Sequence, residues 1–92
     1  MLDQQKALSV SELDEIRQRC DDATAGPWKS FVEGRDHTSG SSFIMTGGGN
    51  GRGDDIELAE ATTADQDFIA HARQDIPRLL DEIARLRRSN RA

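Results

Sequence analysis

The pair Gly26-Pro27 constrains this chain more than any other feature. Glycine accepts the left-handed conformation that closes helices and proline cannot continue the hydrogen-bond ladder, so a helix before the pair stops there. On its N-terminal side, Ser9 and Glu12 form an S-x-x-E capping box, and Leu8 and Leu13 hold the two positions of a hydrophobic staple. Leu13, Ile16, Cys20 and Ala23 then recur at helical spacing, opposite Asp14, Glu15, Arg17, Gln18 and Asp21. The expectation is an N-terminal tail over about residues 1–9 and a helix over about 10–24.

After the break the pattern changes. Trp28–Glu33, Ser42–Thr46 and Ile56–Glu60 are short segments rich in aromatic and β-branched residues, separated by Gly, Ser, Asp and Asn clusters. Two or three short antiparallel strands over about residues 28–60 are expected. The connection Gly47-Gly48-Gly49-Asn50-Gly51-Arg52-Gly53-Asp54-Asp55 is too rich in glycine to hold one shape without a partner, and reads as a mobile loop.

Thr63 and Gln66 repeat the capping-box spacing, with Phe68, Ile69 and Ala72 as an apolar face, so a second helix is expected to begin near residue 64 and to run to about 90. Pro77 is expected to break it, with Asp75 capping a fresh start. Beyond it, Ile76, Leu79, Leu80, Ile83 and Leu86 form a stripe at spacings of three and four. Read as heptads, Ile76 and Ile83 fall at a, and Leu79 and Leu86 at d, the pairing that favours a parallel two-stranded contact. The stripe is therefore either an oligomer interface or a face packed on the chain's own sheet. The expected class is α+β, one domain over 1–92: an N-terminal helix, a small antiparallel sheet with a Gly-rich loop, and a C-terminal helix broken near Pro77.

Composition sharpens the oligomer expectation. Apolar residues are 35% of the chain, and Trp28, Phe31, Phe43 and Phe68 are its only aromatics. Such a core is thin, a domain of this size has a stability of only ~5–14 kcal/mol, and association with further copies would help it. Net charge is −5, with −3 in residues 1–22, −5 in 23–72 and +3 in 73–92, which argues against nucleic-acid wrapping. Arg78, Arg85, Arg87, Arg88 and Arg91 lie where a helix C-terminus favours cations. No segment has the ~20 apolar residues of a membrane span and no apolar run follows the first residues, so no membrane partner is expected. Cys20 is the only cysteine, which excludes an intramolecular disulfide and fits a reducing cytoplasm.

Enzyme motifs match poorly. After its last glycine a P-loop needs Lys and Ser or Thr, whereas Gly53 is followed by Asp54-Asp55. A dinucleotide fingerprint needs a helix where Ile56–Glu60 reads as a strand. Arg52-Gly53-Asp54 is a chance triplet, and Asp54, Asp55 and Glu57 match no EF-hand spacing; with His37 they make a metal-dependent hydrolase a minor third reading. His37 and His71 are the only imidazoles, and with Asp36, Ser39, Ser41 and Cys20 they show no nucleophile-and-base spacing. No catalytic residue, metal or cofactor is expected. The more informative cluster is Trp28, Lys29, Arg35 and the loop residues Gly49, Gly51 and Arg52, which can form an aromatic and cationic pocket that stacks a base and neutralises phosphate. The alternative for Trp28 is an anchor of the first helix on the sheet.

Residues 13–28, LDEIRQRCDDATAGPW, and 64–86, ADQDFIAHARQDIPRLLDEIARL, resemble the Ead-like family of small early-region proteins of phages and prophages. The likeness rests on Ala23, Gly26, Pro27, Trp28, Phe68, Ile69, Ala70, Ala72, Pro77 and Leu79-Leu80; many members have Asn-Pro where this chain has Ile76-Pro77. The resemblance implies an accessory protein of a bacterial cytoplasm that interferes with host processes. Together with the pocket residues it suggests an oligomeric, non-enzymatic anti-defence binder that sequesters a small anionic host ligand such as a nucleotide immune signal. The other reading is an inhibitor of a host protein that docks an acidic surface (Asp14, Glu15, Asp21, Asp22, Asp54, Asp55), in the manner of a nucleic-acid mimic.

Overall fold

The computed structural model describes residues 7–36, 40–47 and 52–90. Gly48, Gly49, Asn50 and Gly51 of the expected loop, His37 and Ser39 of the catalytic candidates, and Arg91 lie outside them. The order is α1 (Val10–Asp22), β1 (Lys29–Phe31), β2 (Phe43–Met45) and α2 (Thr63–Ser89), an α+β arrangement of two helices and a two-stranded antiparallel sheet.

The Ser9 capping box forms as the spacing predicts: the Glu12 amide donates to Ser9 Oγ at 3.0 Å and Glu12 Oε1 accepts from the Ser9 amide at 2.8 Å. The helix ends at Asp22, ahead of Gly26-Pro27, and the expected glycine cap is corrected: Ala23 closes the helix in an extended conformation with its amide still donating to the Arg19 carbonyl, and Gly26 does not take a positive φ. β1 and β2 pair in the register Lys29↔Met45, Ser30↔Ile44 and Phe31↔Phe43. The third expected strand is reduced to one antiparallel bridge between Ile44 and Ile56. Beyond it Glu60 takes a positive φ of 62°, which bends the chain toward the next helix.

Two sequence expectations for α2 are corrected. The capping box uses Thr62 and Asp65, one residue earlier than Thr63 and Gln66, because Gln66 is buried and turned onto the sheet. The helix also passes through Pro77 without a break, and Asp75 caps nothing. Proline costs one backbone hydrogen bond and a carbonyl clash. Both halves are held from outside: Gln66, Ala70 and Gln74 bind the strand side, and Leu80, Ile83 and Ala84 border α1.

Side-chain amides attach α2 to the sheet. Gln66 Nε2 lies 2.8 Å from Ser30 Oγ, 3.1 Å from the Phe31 carbonyl and 3.2 Å from the Phe43 carbonyl, so one amide spans both strands. Gln74 accepts from the Trp28 amide at 2.7 Å and donates to the Trp28 carbonyl at 3.1 Å, imitating a strand partner at the start of β1. Ile44 and Ala70 complete this layer and Leu80 borders α1; these three are the only buried apolar residues among those described. No residue of α1 is fully buried. The Cα radius of gyration is 16.5 Å, in a body of 53 × 36 × 19 Å, against ~12 Å for a compact chain of this length.

Thr46 fixes both ends of the Gly-rich loop at its base. Its carbonyl accepts from the Gly53 amide at 2.8 Å and its hydroxyl donates to the Asp54 carbonyl at 2.6 Å. A Cβ on Gly53 would lie 2.5 Å from Thr46 Oγ1, so this position needs glycine.

Candidate functional site

Alternation along two short strands sorts the candidate residues. Ser30 and Ile44 point to α2 and are buried, so Lys29, Phe31, Phe43 and Met45 share the opposite face. There Phe31 and Phe43 stack across the strands with ring centroids 5.3 Å apart and planes 21° from parallel. Lys29 Nζ sits 5.1 Å from the centroid of Phe31, and the Arg52 guanidinium lies 5.7 Å from that of Phe43. The result is a layered row of cation, ring, ring and cation on the side of the sheet away from the helices. Arg52 also binds both carboxylate oxygens of Asp55, at 2.6 and 2.7 Å, whereas Lys29 has no ion pair among the described residues.

Of the residues singled out from the sequence, the structure therefore unites Lys29 and Arg52 and places Trp28 and Arg35 elsewhere. Trp28 borders an apolar groove of about 230 Å³ with Ile16, Cys20, Ala23, Ile69, Ala72 and Ile76, and its indole N–H donates to the Thr24 carbonyl at 3.1 Å. It anchors the turn after α1 onto both helices. Arg35 clasps Asp67 through two hydrogen bonds of 2.8 and 3.1 Å and also binds Asp36, tying the turn after β1 to α2. These bonds hold the Asp67 carboxyl down at about 2, chiefly through Arg35 and then Ser30. Asp36 is lowered by Arg35 and by the Val32 amide, while the two carboxylates raise Arg35 further.

The remaining chemical candidates are dispersed. His71 Nδ1 is 2.8 Å from the Asp67 carbonyl one helical turn earlier, Cys20 lies in the apolar groove, and Asp36 is committed to Arg35 and Val32. Among the described residues no group of three or more His, Cys, Asp or Glu side chains is arranged to hold a metal ion, and no helix is long and apolar enough to cross a membrane.

Sequence reasoning missed Phe31 and Phe43. Each shares its strand face with Lys29 or Met45 by simple alternation, which was legible; that the two rings stand opposite one another depends on the register, which was not. It also missed Gln66, although Gln66, Ala70 and Gln74 repeat every four residues along one side of α2.

The five stripe residues expected to form an oligomer interface divide. Leu80 is buried against α1, correcting its assignment to an intermolecular surface, and Ile83 borders the same groove beside Val10, Leu13 and Arg17. Leu79 and Leu86 remain outside, 60% and 46% exposed. α1 reaches this side through an ion pair of 2.9 Å between Arg17 and Asp81 and a bond of 2.7 Å from Arg87 to the Leu8 carbonyl. Comparison with protein-family models, curated proteins and solved structures finds no match.

Proposed function

We propose that the chain is a non-enzymatic binder whose outer sheet face takes a small aromatic anion of the nucleotide class. The observation that carries this reading is the row of Lys29, the half-buried rings of Phe31 and Phe43, and Arg52 on the outer sheet face. An aromatic face stacks any base, with ~1–3 kcal/mol per stacked base, and the adjoining cations supply partners for phosphate. On binding, Lys29 leaves the Phe31 ring to meet the phosphate while the base takes its place. Lys29 is the principal charge because Asp55 already neutralises Arg52. The Ead-like resemblance supplies the setting: a phage or prophage accessory protein in a bacterial cytoplasm that sequesters a host nucleotide signal.

The test is calorimetric titration of the full chain with nucleoside monophosphates and cyclic dinucleotides, followed by Lys29→Ala and Phe31→Leu. Both variants are expected to weaken binding at least tenfold and to leave the fold intact. Unaltered affinity in both, or heat from none of the nucleotides, overturns the proposal.

A second reading is favoured by the acidic edge of α1, where Asp14, Glu15, Asp21 and Asp22 are all exposed. It is docking of that edge on a basic host protein. Capture from host lysate that weakens with salt, and is lost when Asp14 and Glu15 become Asn and Gln, supports this reading; capture insensitive to salt overturns it.

A further inference from the structure

α2 carries an apolar face that none of the described residues covers. At ~100° per residue, Phe68, Leu79 and Leu86 project within about 20° of one another along the helix. Phe68 is 76% exposed, Leu79 60% and Leu86 46%, and the row spans about 27 Å at ~1.5 Å rise per residue. α1 closes the neighbouring side of α2 through Leu80 and Arg87, and Gln66, Ala70 and Gln74 fill the side toward the sheet. The open side is a shallow trough lined by Asp75, Arg78, Leu79, Glu82 and Arg85.

We infer that this face is the interface of a homodimer in which two copies of α2 pack antiparallel. Charge decides the occupant and the direction. Asp75 and Glu82 lie in the same row as Phe68, Leu79 and Leu86, with His71, Arg78 and Arg85 along one flank. A parallel pair sets Asp75 against Asp75 and Glu82 against Glu82 at short range. An antiparallel pair centred on Pro77 instead sets Phe68 against Leu86 of the second copy and Asp75 beside Arg78 of the second copy, each contact occurring twice by symmetry. The surface complements itself, as a two-fold interface requires, and the helix dipoles oppose one another.

The shape supports the same occupant: an elongated body with three buried apolar residues among those described gains from a second copy the burial it lacks. The heptad reading of the sequence favours parallel pairing because it sets Ile76 and Ile83 at a and Leu79 and Leu86 at d; Ile83 instead borders α1 and Ile76 lines the groove beside Trp28, so the a positions are not free. With Leu80 taken by α1, the free seam moves to the side of Asp75 and Glu82, and the preferred direction reverses. This inference is independent of the nucleotide proposal.

Light scattering coupled to size exclusion, run on the full chain at high micromolar concentration, tests it first. A dimer is expected for the native chain and a monomer for Leu79→Lys, whose helical circular dichroism should persist because the side chain is mostly solvated. A native chain that is monomeric throughout overturns the proposal. Direction is read by disulfide trapping in a Cys20→Ser background. Mixing Phe68→Cys with Leu86→Cys is expected to give the mixed cross-link; efficient linking of Phe68→Cys to itself overturns the antiparallel arrangement.

Discussion

Replacing Gln66 with methionine tests the claim that an amide, more than apolar burial, holds α2 to the sheet. Methionine keeps the length and flexibility of the side chain and removes its donors. The amide carries two N–H groups facing three acceptors, Ser30 Oγ and the carbonyls of Phe31 and Phe43, so two good bonds are made at once. Leaving buried acceptors without a partner costs ~1–2 kcal/mol each, and the greater apolarity of methionine returns ~1 kcal/mol, for a net loss of ~2 kcal/mol. For a chain of this size that lowers Tm by about 8–16 °C, read by circular dichroism at fixed protein concentration because any dimer makes Tm depend on it. Gln66→Glu should be worse at neutral pH, since a carboxylate would face two carbonyls and a hydroxyl, and should partly recover on acidification as the carboxyl gains a proton to donate. A Gln66→Met chain melting within about 2 °C of the native one would refute the reasoning and return the docking energy to Ile44 and Ala70.

Other expectations follow from individual contacts. Leu80→Ala should lose ~2–4 kcal/mol in urea unfolding, whereas Leu79→Ala in a monomeric background should change stability by less than ~0.5 kcal/mol, because only the first opens a cavity. Gly53→Ala should destabilise by ~1–3 kcal/mol through its overlap with Thr46 Oγ1, and a double-mutant cycle with Thr46→Ala should show a coupling that relieves part of the loss. Asp67 titrates at about 2 in the folded chain against 3.8 unperturbed, so its contribution is present at neutral pH and is lost as pH falls from about 4 to about 2. Arg35→Met should flatten that part of the stability profile; an unchanged acid limb would show that the clasp contributes nothing to folding.

The fold was legible where local chemistry decides it. Ser9 and Glu12 fixed the start of α1, and the aromatic and β-branched segments named both strands to within two residues. What local chemistry does not decide was misplaced. Proline at 77 forecasts a break from propensity alone, and contacts on either side override that forecast. Two Thr-x-x-acceptor frames overlap at residues 62–66, and the choice between them rests on Gln66 being required at the sheet, a distant demand invisible in the window. The same holds for the site. Lys29 and Arg52 were identified by charge, but a separation of 23 residues conceals that each caps one ring of a stacked pair. Trp28 adjoins Lys29 in the chain, yet its side chain lies in the groove bordered by both helices.

The two proposed surfaces use different sides of the fold, and this makes them separable. Ser30 and Ile44 face α2, so the row of Lys29, Phe31, Phe43 and Arg52 lies beyond the sheet from the helices. Gln66, Ala70 and Gln74 face the sheet, so Phe68, Leu79 and Leu86 emerge from another side of α2. A dimer closed through α2 therefore leaves both cationic rows exposed, each on an outward sheet. Leu79→Lys should then yield a monomer with unchanged intrinsic affinity for nucleotide, and Lys29→Ala a dimer without it. If dissociating the dimer also abolishes binding, the site must be completed across the two-fold axis, and the assignment of the ligand to a single sheet face fails while the interface stands.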